Sequence, residues 1–168
     1  MDVLVVRHGQ AVDLSAEVRV DGHRWLSPKG RARTRDVAAL VKSQGVALSA
    51  MRTSPYVRAV QTAEIFAQVF AFAGDLEVAS VLVPGETSVT TAISSALAGL
   101  PDDATVALVG HEPLASAMCA ELLGREVQGL TKSGVVCIRL GAGHRGTFLW
   151  AIDPKALALV KSLRLLSD

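Results

Sequence analysis

Val3-Leu4-Val5-Val6-Arg7-His8-Gly9 decides how this chain is read. A run of branched apolar residues with no polar alternation fits a strand covered on both faces. Such a strand belongs inside a parallel sheet flanked by helices. The run breaks at an arginine, a histidine and a glycine. In open α/β sheets ligands bind beyond the carboxyl ends of the strands, so these residues are the first place to look for chemistry.

The pattern continues outward from that strand. Residues 10–26 have no helical period and mixed charge, and read as a long loop. Ser27-Pro28 is a helix start, with serine as N-cap and proline at the first helical position. That helix runs to about Ser43, with Val37, Leu40 and Val41 on one face. A strand over 46–51 closes at Arg52-Thr53-Ser54-Pro55, and a helix follows over 56–72. A short strand over 77–83 and a helix over 88–100 come next. A buried strand over 105–109 ends at Gly110-His111-Glu112-Pro113 and leads into a helix over 114–123. Two strands, 134–140 and 147–152, flank a glycine-rich turn. Asp153-Pro154 then caps a last helix reaching about Leu166. This alternation predicts an α/β fold: a three-layer αβα sandwich on a mostly parallel central sheet, in a single domain over 1–168.

Composition narrows the function. Half of the residues are apolar and a fifth are charged, enough for a full core and too apolar for a disordered chain. Lys and Arg total 17 against 16 Asp and Glu, a net charge of +1. That balance argues against a dedicated nucleic-acid binder. No apolar run is long enough for a membrane span. The start of the chain has no basic segment ahead of its apolar stretch, which argues against export and for a cytoplasmic protein. Cys119 and Cys137 sit in apolar surroundings outside any CxxC, and read as buried free thiols.

The polar residues at the strand ends have a common chemistry. Arg7 and His8 end the first strand, Arg58 lies in the opening turn of the helix after the second, and His111 ends the strand over 105–109. Two histidines and two arginines at one sheet edge make an anion site with a nucleophile in it. Guanidinium forks match phosphate oxygens and stay charged. A neutral imidazole is a good nucleophile near pH 7. Transfer of a phosphoryl group needs in-line positioning and positive charge around the equatorial oxygens. His8 can attack, while Arg7, Arg58 and His111 hold the oxygens. Arginines beside the histidines repel a cation, so neither a metal nor another cofactor is expected.

These residues also carry a resemblance. Arg7-His8-Gly9 after a buried first strand resembles the signature of the histidine phosphatase superfamily. Ser54-Pro55-Tyr56-Val57-Arg58-Ala59-Val60-Gln61-Thr62-Ala63 is similar to that superfamily's second motif, and Gly110-His111-Glu112-Pro113 to its third. Leu26-Ser27-Pro28-Lys29-Gly30 resembles its first helix start, and the stretch Gly146–Pro154 resembles the ending of its small phosphohistidine phosphatases, the SixA type. The likeness extends over nearly the whole chain. It implies a phosphoglycerate-mutase-like fold and a covalent phosphohistidine on His8. It also implies a phosphoryl group held by Arg7, Arg58 and His111, and hydrolysis by water without a metal. The implied substrate is a phosphorylated protein, a histidine phosphotransfer domain.

The chain departs from larger members at the general acid. They carry a carboxylic acid on an insertion, whereas Val83-Pro84-Gly85-Glu86-Thr87 offers only Glu86. Glu86 is the candidate proton donor; its other reading is a charge that favours the next helix N-terminus. An alkoxide leaves badly without an acid, while an imidazole needs one less, so a site lacking an assured acid favours P–N over P–O cleavage. Two alternatives stand beside this reading. One is a metabolite or phosphoserine phosphomonoesterase of the same superfamily; the other is a phosphoprotein-binding module without turnover.

Three further features are read as structural. Gly141-Ala142-Gly143-His144-Arg145-Gly146 fits GxGxxG but precedes a strand, so it is a hairpin turn with His144 exposed. Arg24, Lys29, Arg31, Arg33 and Arg35 form a basic run, either a solvated helix face or a rim that steers an acidic, phosphorylated partner. His23, just before it, is ambiguous in the same way.

Overall fold

The computed structural model describes residues 1–141 and 145–161. Among them, seven strands form one sheet in the order β3-β2-β4-β1-β5-β6-β7. The strands are β1 (Asp2–Arg7), β2 (Ala50–Thr53), β3 (Leu76–Val78), β4 (Thr105–Gly110), β5 (Val135–Leu140), β6 (Gly146–Asp153) and β7 (Ala158–Val160). The helices are α1 (Pro28–Ser43), α2 (Val57–Phe70), α3 (Val89–Leu97) and α4 (Leu114–Leu123). None is long and apolar enough to cross a membrane.

β3, β2, β4 and β1 are mutually parallel, whereas β5 runs against β1, β6 against β5 and β7 against β6. The sheet is therefore mixed. Its parallel half carries the crossover helices, and its antiparallel half grows by hairpins, which a tight turn can join only in that sense. The expected hairpin is there: Leu140 pairs with Gly146, and Gly141 N–H donates to the Arg145 carbonyl at 3.4 Å. His144 lies outside the described residues.

β1 is buried on both faces, with Val3 to Val6 no more than 1% exposed. Val3 and Val5 face α3 and α4, where they meet Ala92, Ala96, Ala115, Met118 and Leu122. Leu4 and Val6 face α1 and α2, where they meet Val37, Val41, Ala59, Ala63 and Phe66. Each of the Val, Leu, Met and Phe side chains among them contributes roughly 1.5–3 kcal/mol on leaving water. Alternate residues of one strand thus build both interfaces of the three-layer sandwich. Cys119 and Cys137 are free and buried in these layers. Burial pushes the Cys119 thiol far up and that of Cys137 to about 12, so neither is reactive.

α1 begins as its sequence requires. The Ser27 hydroxyl accepts from Gly30 N–H at 3.0 Å, and Pro28 stands in the first turn. Gly30 is pressed so closely on Gln10 that a Cβ there would lie 2.0 Å from the Gln10 carbonyl oxygen. This contact pins the loop after β1 to the start of α1.

Three expectations need correction. The strand predicted over 46–51 forms at Ala50–Thr53, because its partner β4 begins only at Thr105 and leaves residues 46–48 unpaired. The strand predicted over 77–83 ends at Val78, since β2 stops at Thr53; Ser80–Leu82 curls into a 3-10 turn. The helix predicted after Asp153-Pro154 is not formed over residues 154–160. Asp153 Oδ1 accepts from Lys155 N–H at 2.8 Å, a local turn in place of a helix cap. Leu157 then adopts φ 50° and reverses the chain, and β7 pairs back on Ala151–Asp153. An open sheet edge won over the helical propensity of an Ala- and Leu-rich segment. The rest of that predicted helix, 162–166, lies outside the described residues.

Candidate active site

Parallel pairing aligns the carboxyl ends of β1, β4 and β2, with Arg7 beside Gly110 and Thr53 beside Val109. The next residue of each strand enters the site: His8, His111 and Ser54. Their main chains are tied across the gap, since His8 N–H donates to the Gly110 carbonyl at 3.0 Å and Ser54 N–H to that of Val109 at 2.9 Å. Arg58 enters from the first turn of α2.

The four residues singled out from the sequence meet there. His8 is 8% exposed, Arg58 6% and His111 3%. His8 Nδ1 lies 2.7 Å from the Gly9 carbonyl oxygen. A carbonyl can only accept, so Nδ1 carries the proton and Nε2 keeps its lone pair. Arg58 Nε–H points at that lone pair from 3.1 Å. The His111 ring lies 4.9 Å from the His8 ring, centroid to centroid, and its Nε2 is 2.8 Å from the Ser54 hydroxyl. Arg7 is fixed through Nη1 on the Leu130 carbonyl.

Three buried side-chain polar atoms have no partner among the described residues: Arg7 Nε, His111 Nδ1 and Thr131 Oγ1. A buried donor left unmatched costs about 1–3 kcal/mol, so such atoms mark where a ligand's acceptors belong. Arg7 Nε and His111 Nδ1 belong to the cluster around His8, and Thr131 follows the Leu130 whose carbonyl holds Arg7. A further tie holds the glycine: Gly9 N–H donates to Thr62 Oγ1 at 3.1 Å. A Cβ on Gly9 would stand 2.4 Å from Thr34 Oγ1, which excludes a larger residue without a shift.

Burial first, then the nearby charges of Arg58 and Arg7, lowers the pKa of His8 to about 4, against the opposing hydrogen bond to Gly9; exposed Lys132 adds to the lowering. Burial, the His8 ring, Arg58 and Arg7 lower that of His111 to about 3, with the Asp21 charge opposing. Both rings are neutral at pH 7. The site therefore joins an unprotonated nitrogen to permanent positive charge. Among the described residues no group of three or more His, Cys, Asp and Glu is disposed to hold a metal.

The chain is similar to known proteins along the same lines. Residues 3–79 match the model of the histidine phosphatase superfamily (branch 1). Phosphohistidine phosphatase SixA of Escherichia coli (strain K12) is 30% identical over 165 residues, 97% of this chain and 100% of that protein. The chain belongs to the histidine phosphatase superfamily. An uncharacterized protein of Picosynechococcus sp. is 35% identical over 153 residues, 86% of this chain and 88% of that one. The solved structure of the protein histidine phosphatase SixA complexed with tungstate superposes with a TM-score of 0.84 at 30% identity, covering 94% of this chain and 100% of that one.

The remaining sequence candidates fall outside the cluster. Glu86 is exposed, and its side chain makes no hydrogen bond or ion pair with a described residue. Lys29, Arg31 and Arg35 are exposed on α1, and Arg33 is half-buried. Arg24 is engaged in the loop, on Asp21, Asp13 and the Val12 carbonyl. His23 is exposed beside it. Sequence reasoning missed Asp21, which ion-pairs with Arg58 at 2.8 Å. Its spacing from Arg24 (i, i+3) announces a local ion pair, but nothing in the sequence points across the fold to Arg58. The loop 130–134 was missed too: Leu130 and Gly134 accept from Arg7, and Ser133 N–H donates to the His8 carbonyl at 3.0 Å.

Proposed function

We propose that this protein is a phosphohistidine phosphatase that works through a covalent phosphohistidine on its own His8. The observation that carries this reading is the state of the His8 ring. The Gly9 carbonyl holds Nδ1–H at 2.7 Å, while Nε2 carries a lone pair beside the Arg58 guanidinium. Nε2 attacks phosphorus in line, the P–N bond of the substrate breaks, and its imidazole departs with the electron pair. Arg7, Arg58 and His111 take the three equatorial oxygens, where charge spreads in the transition state. The Gly9 carbonyl stabilises the ring as it becomes positive. Water then attacks phosphorus, releases inorganic phosphate and returns the pair to Nε2.

The substrate is phosphohistidine on a protein, on a histidine phosphotransfer domain in particular. An imidazole leaving group needs less protonation than an alkoxide, and the carboxylate at position 86 is exposed and unpartnered. The similarity to SixA, a phosphohistidine phosphatase by name, supports the same substrate class. The test is a side-by-side measurement of kcat/KM on a phosphorylated phosphotransfer domain and on a panel of phosphomonoesters. Faster hydrolysis of phosphohistidine is expected. Equal or faster hydrolysis of the esters would move the protein to the phosphomonoesterases.

A further inference from the structure

Arg58 is held from two sides. Its Nη1 donates to the main-chain carbonyl of Asp21 at 2.6 Å and its Nη2 to Asp21 Oδ2 at 2.8 Å. Its Nε donates to His8 Nε2 at 3.1 Å. A single loop residue thus takes the tip of the guanidinium with two acceptors, and the flank bearing Nε is left against the nucleophile. Nη2 has two hydrogens, so one N–H remains on the flank it shares with Nε. That flank is the fork a phosphoryl group on His8 would meet.

Asp21 is itself braced. Its Oδ1 accepts from Arg24 Nη1 at 3.0 Å. Arg24 Nε reaches the Val12 carbonyl at 2.7 Å, and its Nη2 reaches Asp13 at 3.4 Å. Val12 N–H in turn donates to the Trp25 carbonyl at 2.9 Å, and Ala11 bridges to Leu26. The loop closes on itself and presents Asp21 to Arg58. Burial raises the pKa of Asp21, but hydrogen bonds from Arg58 and Arg24 outweigh it and hold the carboxyl below its ordinary value. Asp21 is therefore an ionised acceptor.

We propose that Asp21 is a positioning residue for phosphoryl transfer: it clamps the tip of Arg58 from the side away from His8 and keeps the Nε flank aligned with the nucleophile. This rests on the role of His8 given above. An arginine has many rotamers, and one fixed in advance needs no reorganisation when charge develops on the phosphoryl oxygens. The carbonyl and the carboxylate of one residue form a rigid acceptor pair for that purpose.

The test uses D21A and D21N in the full chain, with p-nitrophenyl phosphate kinetics and an NMR titration of the His8 ring nitrogens. D21A should lower kcat about ten- to a hundredfold, the scale of a misplaced reacting group, with a smaller change in KM. D21N keeps the main-chain carbonyl and one side-chain oxygen for Arg58, turns its NH2 toward Arg24, and should recover part of the rate. The charges facing His8 are Arg58, Arg7 and Lys132, with the His111 ring alongside. If the clamp is lost, Arg58 leaves that set and the His8 pKa rises in D21A, a readout that a general loss of stability would not move. Wild-type kcat and an unshifted His8 titration in D21A would overturn the proposal. A faster D21A would overturn it too, since Asp21 would then be a competitor for the anion fork. The titration needs no turnover. A protein inert on every phosphorylated substrate would refute the phosphatase reading, while a shifted His8 pKa in D21A would still support the clamp.

Discussion

The cluster of Arg7, His8, Arg58 and His111 and the connection over 83–88 with Glu86 are built differently. In the cluster, His8, Arg58 and His111 are buried and each is fixed by a hydrogen bond, His8 to the adjacent Gly9 and the other two to Asp21 and Ser54 from other elements. In the connection, Glu86 is exposed and its side chain touches no described polar partner. Donors that stabilise a transition state must be in place before the reaction. On the proposed reading, the difference teaches that capture of the phosphoryl group is preassembled in this fold, while protonation of a leaving group is not. A substrate whose leaving group departs unaided suits such a site.

The largest effect should come from the centre of the cluster. H8A should abolish turnover and leave phosphate or vanadate binding measurable by calorimetry, because the guanidinium forks remain. Substantial residual hydrolysis would remove His8 as nucleophile and erase the contrast between the two regions. R58A comes next. Loss of one preorganised oxyanion donor typically lowers kcat by about 10²–10³, and here vanadate affinity should fall with it. A variant that loses turnover but binds vanadate as before would mean that Arg58 does not touch the phosphoryl group.

A smaller effect concerns pH. Burial, followed by the arginine charges, holds His8 at about 4 and His111 at about 3, below the 6.5 of a free imidazole. The attacking ring must be neutral, so the acid limb of the rate profile should lie near pH 4 and not near 6.5. The same shifts couple to stability. Between pH 6.5 and about 4 the unfolded chain binds more protons at these rings than the native one. The stabilising contribution is therefore full above pH 6.5 and is lost as the pH falls through that window. Urea midpoints measured across it should drop, and a flat profile would contradict the burial of the pair.

The smallest effect should come from Glu86. E86Q should leave phosphohistidine hydrolysis close to the wild-type rate. If Glu86 protonates ester leaving groups, the ester rate alone should fall, by up to about the 10²–10⁴ that general acids supply. A comparable loss on phosphohistidine would make the two regions one machine.

Much of this was legible in the residues. β1 and β4 announced themselves by unbroken apolar runs, α1 by Ser27-Pro28, and the cluster by basic residues placed after strands or in a first helical turn. What escaped has one cause. The ends of β2 and β3 depend on where a partner strand starts or stops, and β7 depends on an open edge that outbids helical propensity. Asp21 escaped for the same reason, since its value lies in a contact with Arg58, 37 positions away.

The sequence by itself determined the layers and the residue types that gather at the strand ends, because apolar period and residue type are local properties that each segment carries with it. Tertiary structure alone decided the mixed direction of the sheet, the tautomer of His8 and the carboxylate that grips Arg58. Those follow from which groups are left to satisfy one another once the chain has closed, and no segment holds that information alone.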